Sequence, residues 1–310
     1  MTRRHALPAP LLAASFTVFE ARTSDVPRSR MQASDLSTPS RGIRVPRGRR
    51  QSLLERCRPY TSLTPDSCIC FATAAMIHGI SLPDTAGAWT RLHLARRTGT
   101  SAPRRRHVRG HLLKVAAEDV VMLDGVPVTS AARTFLDLSR VLEFDDAVAA
   151  GDSIVCAHRR GYISDKHALL SHGALRAYLD SRSGTHGIAP ARKVFAEVEV
   201  GVDSPPETKI RLWLHRAGLP RFVPNQPILD ILGNPTVWSD LGCERFRVSI
   251  QYDGGHHLTV RQQSLDAQRN YTTAQAGWLQ VTLNRDDLRL GAAWIVGRVS
   301  EALRSRGWES

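Results

Sequence analysis

Residues 248–253 read Val-Ser-Ile-Gln-Tyr-Asp and stop at Gly254-Gly255-His256-His257. Strict alternation of apolar and polar side chains predicts a strand with one buried face. Val248, Ile250 and Tyr252 are expected on one side, Ser249, Gln251 and Asp253 on the other. Any fold of this chain must therefore set Ile250 on a core. It must also leave an amide, a carboxylate and two imidazoles together at the end of one strand.

The flanking sequence supplies partners. Ser204-Pro205-Pro206-Glu207 reads as a helix start, with Ser204 as N-cap, Pro205 at the first helical position and Glu207 in the first turn. In the simplest reading Glu207 completes a capping box with Ser204. The helix runs through Ile210, Leu212, Trp213, Leu214 and Ala217 and stops at Gly218. Residues 225–229 and 236–241 are two extended runs joined by the turn Gly233-Asn234-Pro235, which predicts a hairpin carrying Asp240 near its end. A helix over 261–276, with Asp266, Arg269 and Asn270 at helical spacing, a strand over 278–282, a turn at Asp286 and a helix over 293–306 complete the order α-β-β-β-α-β-α.

The rest of the chain reads differently. Residues 11–45 suggest a first helix holding Leu11, Leu12, Phe16, Val18 and Phe19, a second opened by Pro27 with Arg28, Arg30 and Met31, then a strand at Gly42-Ile43-Arg44-Val45. Helix, turn, helix and a strand bearing arginine is the layout of a small winged helix-turn-helix. A helix over 66–79 ends at Gly79, and strands are expected at 89–94, 119–124 and 126–128. Helices follow at 131–142, 145–155 and 164–198, the last broken at 183–187. The fold class expected is α/β multidomain. Residues 1–48 form the winged helix-turn-helix-like unit, 49–198 a mixed α/β middle region, and 199–310 an α-β-β-β-α-β-α domain.

Charge narrows the partner. The net charge is +13 with a pI of about 10.4, a field that favours polyanions. Between Arg91 and Lys114 there are eight Lys or Arg and no acidic residue, densest at Arg104-Arg105-Arg106; these three are phosphate-contact candidates. No apolar run approaches the roughly 18 residues of a membrane span, and no membrane partner is expected. The start is interrupted by Pro8 and Pro10 and does not read as a secretory signal. Five scattered cysteines argue against a disulfide framework and fit a reducing, cytoplasmic setting. Cys68-x-Cys70 lacks a spaced partner pair, so buried thiols are the simpler reading than zinc.

The strings SPPETKIRLWLHRAGLP (204–220), SDL (239–241), VSIQYDGGHH (248–257), LDAQRN (265–270) and AGWLQVTLNRDDL (276–288) together resemble one family. It is the actinobacterial group of AbiEi-type antitoxin-like proteins whose C-terminal domain has the very-short-patch-repair-like endonuclease fold, within the PD-(D/E)xK superfamily. FTVFEA (16–21), RGIRV (41–45), FATAAMIHGISLP (71–83) and DGVPVTSAARTFLDL (124–138) resemble the group's N-terminal part.

The resemblance implies Mg²⁺ beside a scissile phosphate of DNA, held by Asp240, Gln251, Asp253 and Glu207, with His256 and His257 sharing the catalytic role. Gln251 departs from the pattern, standing where the superfamily has its second acid, and Asp253 stands where it has its lysine. Asn270 replaces an acid common in relatives. Two functions are compatible with these residues. One is a Mg²⁺-dependent DNA endonuclease. The other is an antitoxin-like DNA-binding regulator with a vestigial nuclease domain and a cognate toxin as further partner. In the second, Arg28 and Arg30 face the major groove and Arg41 and Arg44 the phosphate backbone.

Overall fold

The computed structural model describes residues 5–84, 90–98, 101–159, 165–254 and 260–309, with only the backbone of residues 159 and 260–266. The chain is a mixed α/β protein that divides into two compact units, Met1–Leu138 and Ser139–Ser310. In the first, α1 (Ala9–Ala13), β1 (Phe16–Thr17), α2 (Val18–Thr23), β2 (Leu36–Ser37) and β3 (Ile43–Pro46) precede α3 (Leu53–Ser62) and β4 (Ser67–Ile69). Then come α4 (Phe71–His78), β5 (Leu92–Arg96), β6 (Val108–Leu112), β7 (Val120–Leu123), β8 (Val126–Thr129) and α5 (Ala131–Leu138). In the second, α6 (Phe144–Val155), β9 (His158–Arg159), β10 (Asp165–Lys166), α7 (His172–Ser181) and α8 (Ile188–Phe195) lead to α9 (Pro205–Arg216). It ends with β11 (Val223–Leu229), β12 (Pro235–Cys243), β13 (Val248–Asp253), α10 (Val260–Gln275), β14 (Leu279–Asn284), α11 (Arg285–Leu290) and α12 (Ala292–Arg304).

The first unit opens with a small three-stranded sheet in the order β1-β3-β2, closed over Leu7, Leu11, Phe16, Ala21, Val26, Met31 and Leu36. Thr17 and Glu20 form a capping box that starts α2, so the single first helix expected from sequence is split by a short strand. The helix expected after Pro27 is only a 3₁₀ turn, Arg30–Gln32. Its tail is drawn inward because Arg30 is held against Asp35 and the His5 carbonyl. A five-stranded sheet, β6-β5-β4-β8-β7, follows. Its core joins Ile69, Leu92, Leu94, Val126 and Val128 to Cys57 and Tyr60 of α3. The helix expected over 66–79 begins instead as strand β4, and only α4 is helical, ending at Gly79 with φ +73°. Residue 89, the expected start of the next strand, lies outside the described residues.

In the second unit the element order from α9 onward follows the expected α-β-β-β-α-β-α pattern, with α11 where a turn was expected. The four strands order as β11-β12-β13-β14; β13 and β14 are parallel, joined through α10, and the other pairs are antiparallel. Ile210 and Leu214 of α9, Val248 and Ile250 of β13, Leu283 of β14, and Ile295, Val299 and Leu303 of α12 share one core. The alternation in β13 thus places Val248 and Ile250 as expected. Ser249 is buried too, since β13 is an inner strand and α10 packs over β12 and β14 on the sheet. Residues 139–198 belong with this sheet rather than with the strands before them. Asp152 of α6 fixes the join: it accepts from Arg211 at 3.1 Å, Thr208 at 2.8 Å and the Glu199 N–H at 2.8 Å.

Candidate functional site

Glu207 sits in the first turn of α9, 6% exposed. Its carboxylate accepts from the Ser204 hydroxyl at 2.7 Å and from the Asp203 N–H at 2.9 Å. This is not the capping box expected from sequence, because the Ser204 side chain makes no cap hydrogen bond to the helix backbone. The hydroxyl is spent on the carboxylate instead. Burial, followed by the negative charge of Asp240, pushes Glu207 up to about 8. Two acids on separate elements, helix α9 and strand β12, therefore face each other closely enough to repel.

Asp240 is anchored from β13. Its Oδ1 accepts from the Gln251 side-chain amide at 2.7 Å and its Oδ2 from the Tyr252 N–H at 2.7 Å. The antiparallel register pairs Leu241 with Ile250, which brings Asp240 opposite the Gln251 end of β13. Gln251 in turn neighbours Thr282, and Asp253 neighbours Asn284, on the parallel strand β14. Asp253 is exposed at the end of its strand. Oxygens of Glu207, Asp240 and Asp253 do not come together as a three-ligand cluster among the described residues.

Thus Glu207, Asp240 and Gln251 converge, while Asp253 stands at the rim. His256 and His257 lie outside the described residues, as do the Asp266 side chain and any imidazole contribution to this site. Asn270 accepts from Gln280 Nε2 at 2.6 Å, so it ties α10 to β14.

The arginines separate into two groups. Arg30 is 8% exposed and forms a two-pronged pair with Asp35 at 2.9 and 2.8 Å, and its Nε donates to the His5 carbonyl. It is a structural residue of the small N-terminal sheet and presents no guanidinium to a groove. Arg44 donates to the Met31 and Ile43 carbonyls and is likewise engaged by backbone. Arg28 is exposed in a turn rather than on a helix, and Arg41 is exposed.

Arg41 lines a cavity of about 420 Å³ together with Ser40, Thr64, Arg96, Arg104, Arg105 and Arg106, and no acidic residue among those described borders it. Arg105 fixes the rim by donating to the carbonyls of Arg41 at 3.0 Å and Leu63 at 3.4 Å. Pro103 is pressed onto β6 so closely that a Cβ at Gly110 would meet its carbonyl oxygen at 2.0 Å. Arg96, on β5 in the same basic stretch, joins the lining as well.

All five cysteines are free and buried. Cys68 and Cys70 pack with Phe71 and Ala95, and burial pushes Cys68 up to about 11 and Cys70 well above its ordinary value. They behave as small apolar side chains. Sequence reasoning passed over Asp152 and Asp203. Their partners come from distant segments: Arg211 for Asp152, and Lys166 and His158 for Asp203. Comparisons of the chain with known protein families, curated proteins and solved structures find no match. No helix among the described residues is long and apolar enough to cross a membrane.

Proposed function

We propose that the chain binds DNA and that its C-terminal sheet carries a Mg²⁺-dependent phosphodiester-cleaving site. The observation that carries this reading is the buried Glu207 carboxylate, pushed up to about 8 by burial and by Asp240 beside it. Facing carboxylates at a sheet end are an unfavourable arrangement unless a proton or a cation lies between them. Their oxygens suit a hard cation, and Mg²⁺ needs few protein ligands because it keeps several waters. Glu207 and Asp240 would hold the ion, with Gln251 and Asp253 as outer oxygen donors. Bound there, Mg²⁺ would lower the pKa of a water and neutralise charge on a phosphate.

The chain's own contribution is orientation. Ser204 and the Asp203 N–H fix Glu207, and Gln251 and the Tyr252 N–H fix Asp240. The arginine-lined cavity of the first unit supports phosphate binding, since guanidinium groups pair with phosphate oxygens in two-pronged geometry. The short N-terminal elements with sheet order β1-β3-β2 support a winged-helix-like unit, and the α9–α12 order supports a restriction-endonuclease-like domain.

A plasmid-nicking assay with Mg²⁺ or Mn²⁺ tests the reading. Cleavage is expected from the protein and not from Asp240→Ala; equal cleavage by both sinks it.

One observation favours the alternative, an antitoxin-like DNA-binding regulator with a catalytically vestigial domain. Gln251 supplies a hydrogen bond to Asp240 where a second charged acid would bind metal, so the site is partly satisfied without an ion. A mobility-shift assay on the DNA upstream of the coding sequence separates the two. The regulator binds it with steep salt dependence, and Asp240→Ala leaves that binding unchanged.

A further inference from the structure

The second unit gathers another set of ligand atoms apart from Glu207 and Asp240. Cys156 caps the end of α6, His158 opens β9 two residues later, and Asp203 precedes α9. His158 Nε2 lies 3.0 Å from Asp203 Oδ1, and Cys156 Sγ lies 3.5 Å from the same oxygen. The three ligand-type atoms all fall within 4.8 Å of one another, the only such group among the described residues. Cys156 is fully buried, and the His158 side chain is 6% exposed.

Those separations have a simple geometric meaning. Tetrahedral zinc with bonds of about 2.3 Å to sulfur and about 2.0–2.2 Å to nitrogen and oxygen sets its ligand atoms roughly 3.3–3.6 Å apart. The observed 3.0 and 3.5 Å edges are near that spacing. A cationic group already sits beside these atoms: Lys166 Nζ lies 3.0 Å from Asp203 Oδ1.

We propose that Cys156, His158 and Asp203 form a three-ligand site for a thiophilic divalent ion of the zinc class, with Lys166 filling the site as a stand-in cation. The Cys156 sulfur, giving up its proton as the ion binds, with an imidazole and one carboxylate selects zinc or cobalt over Mg²⁺ and Ca²⁺, which take oxygen ligands. Lys166 is 39% exposed on a flexible stem and can leave. A cavity of about 560 Å³ lined by His158, Asp165, Lys166, His167 and His172 borders the cluster on the His158 and Lys166 side. The ion would staple the end of α6 to the start of α9, where the Asp203 N–H holds Glu207. The site stands whether or not the Glu207–Asp240 pair cleaves DNA.

The test uses the full chain, stripped with a chelator and titrated with Co²⁺ and Zn²⁺. One equivalent of Co²⁺ should give a thiolate-to-cobalt charge-transfer band and tetrahedral d–d absorption, displaced by Zn²⁺. Cys156→Ser should lose the charge-transfer band, and His158→Ala should lose the zinc-dependent rise in Tm. Lys166→Ala, which removes the competing ammonium from a partly exposed position, should bind Co²⁺ several-fold more tightly. Absence of a stoichiometric band in the wild-type protein, a band that persists in Cys156→Ser, or weaker binding by Lys166→Ala would each overturn the proposal.

Discussion

Gln251 donates its side-chain amide to Asp240 Oδ1 at 2.7 Å, across the antiparallel pair β12–β13. One neutral hydrogen bond thus ties the two strands together beside the buried Glu207 carboxylate. The consequence is a local electrostatic balance that a single substitution can tip.

Gln251→Glu should expose that balance. A carboxylate at this position loses the donor to Asp240 and adds like-charge repulsion, lowering metal-free stability by about 1–3 kcal/mol. Thermal melts with and without Mg²⁺ check it. The Mg²⁺-dependent rise in Tm should be larger for Gln251→Glu than for the parent, and an equal rise would count against cation binding between these residues.

Glu207 gives a pH signature. Its folded pKa is raised to about 8 from an ordinary value of 4.5, so between those values the native state binds more protons than the unfolded one. Stability therefore falls as pH rises from about 4.5 to about 8. Asp152, raised to about 6 by burial against the pull of Arg211, adds a slope of the same sign at lower pH. Glu207→Gln should flatten the curve between pH 6 and 8 while keeping the lower limb; chemical denaturation at stepped pH reads both.

Asp152→Ala should cost about 3–5 kcal/mol, because buried Arg211 would lose its close, buried partner and keep only the longer 3.7 Å pair with the more exposed Glu199. Urea unfolding measures the loss. A cost below about 1 kcal/mol, the range of exposed pairs, would contradict the burial of this pair.

Gly110→Ala should displace Pro103 and with it the Arg104–Arg106 rim, because the added Cβ would overlap the Pro103 carbonyl oxygen. Overpacking of this kind costs about 1–3 kcal/mol. The same variant should weaken DNA binding measured by fluorescence anisotropy, with no change at the Glu207–Asp240 site.

Replacing Arg104, Arg105 and Arg106 together by Ala should flatten the salt dependence of DNA binding by about 0.9 in log–log slope for each phosphate no longer neutralised. Arg30→Ala should behave oppositely. It should destabilise the N-terminal sheet by breaking the pair with Asp35 and leave the slope as it was. An Arg30→Ala protein that stays fully folded and loses slope would place Arg30 at the DNA after all.

Periodicity and punctuation were legible in the amino-acid order. Alternation in residues 248–253 set the strand and put Ile250 inward, Pro205 and Gly218 bounded α9, and the element order from α9 onward followed. These are local properties, encoded within a few residues of where they act. Which polar groups meet was settled by packing. Arg30 looked like a groove-facing residue and is instead tied to Asp35 and His5, because charge in a linear stretch does not reveal which side is buried. Ser204 and Glu207 read as a capping box, yet the approach of Asp240 from β12 makes that carboxylate a buried, repelled acid. Arg41, 63 or more positions before Arg104–Arg106, joins them in one cavity, and Asp203 meets Cys156, His158 and Lys166 from a distant segment. Convergence of this kind arises over long sequence separations, where desolvation and charge act together, and no local pattern carries it.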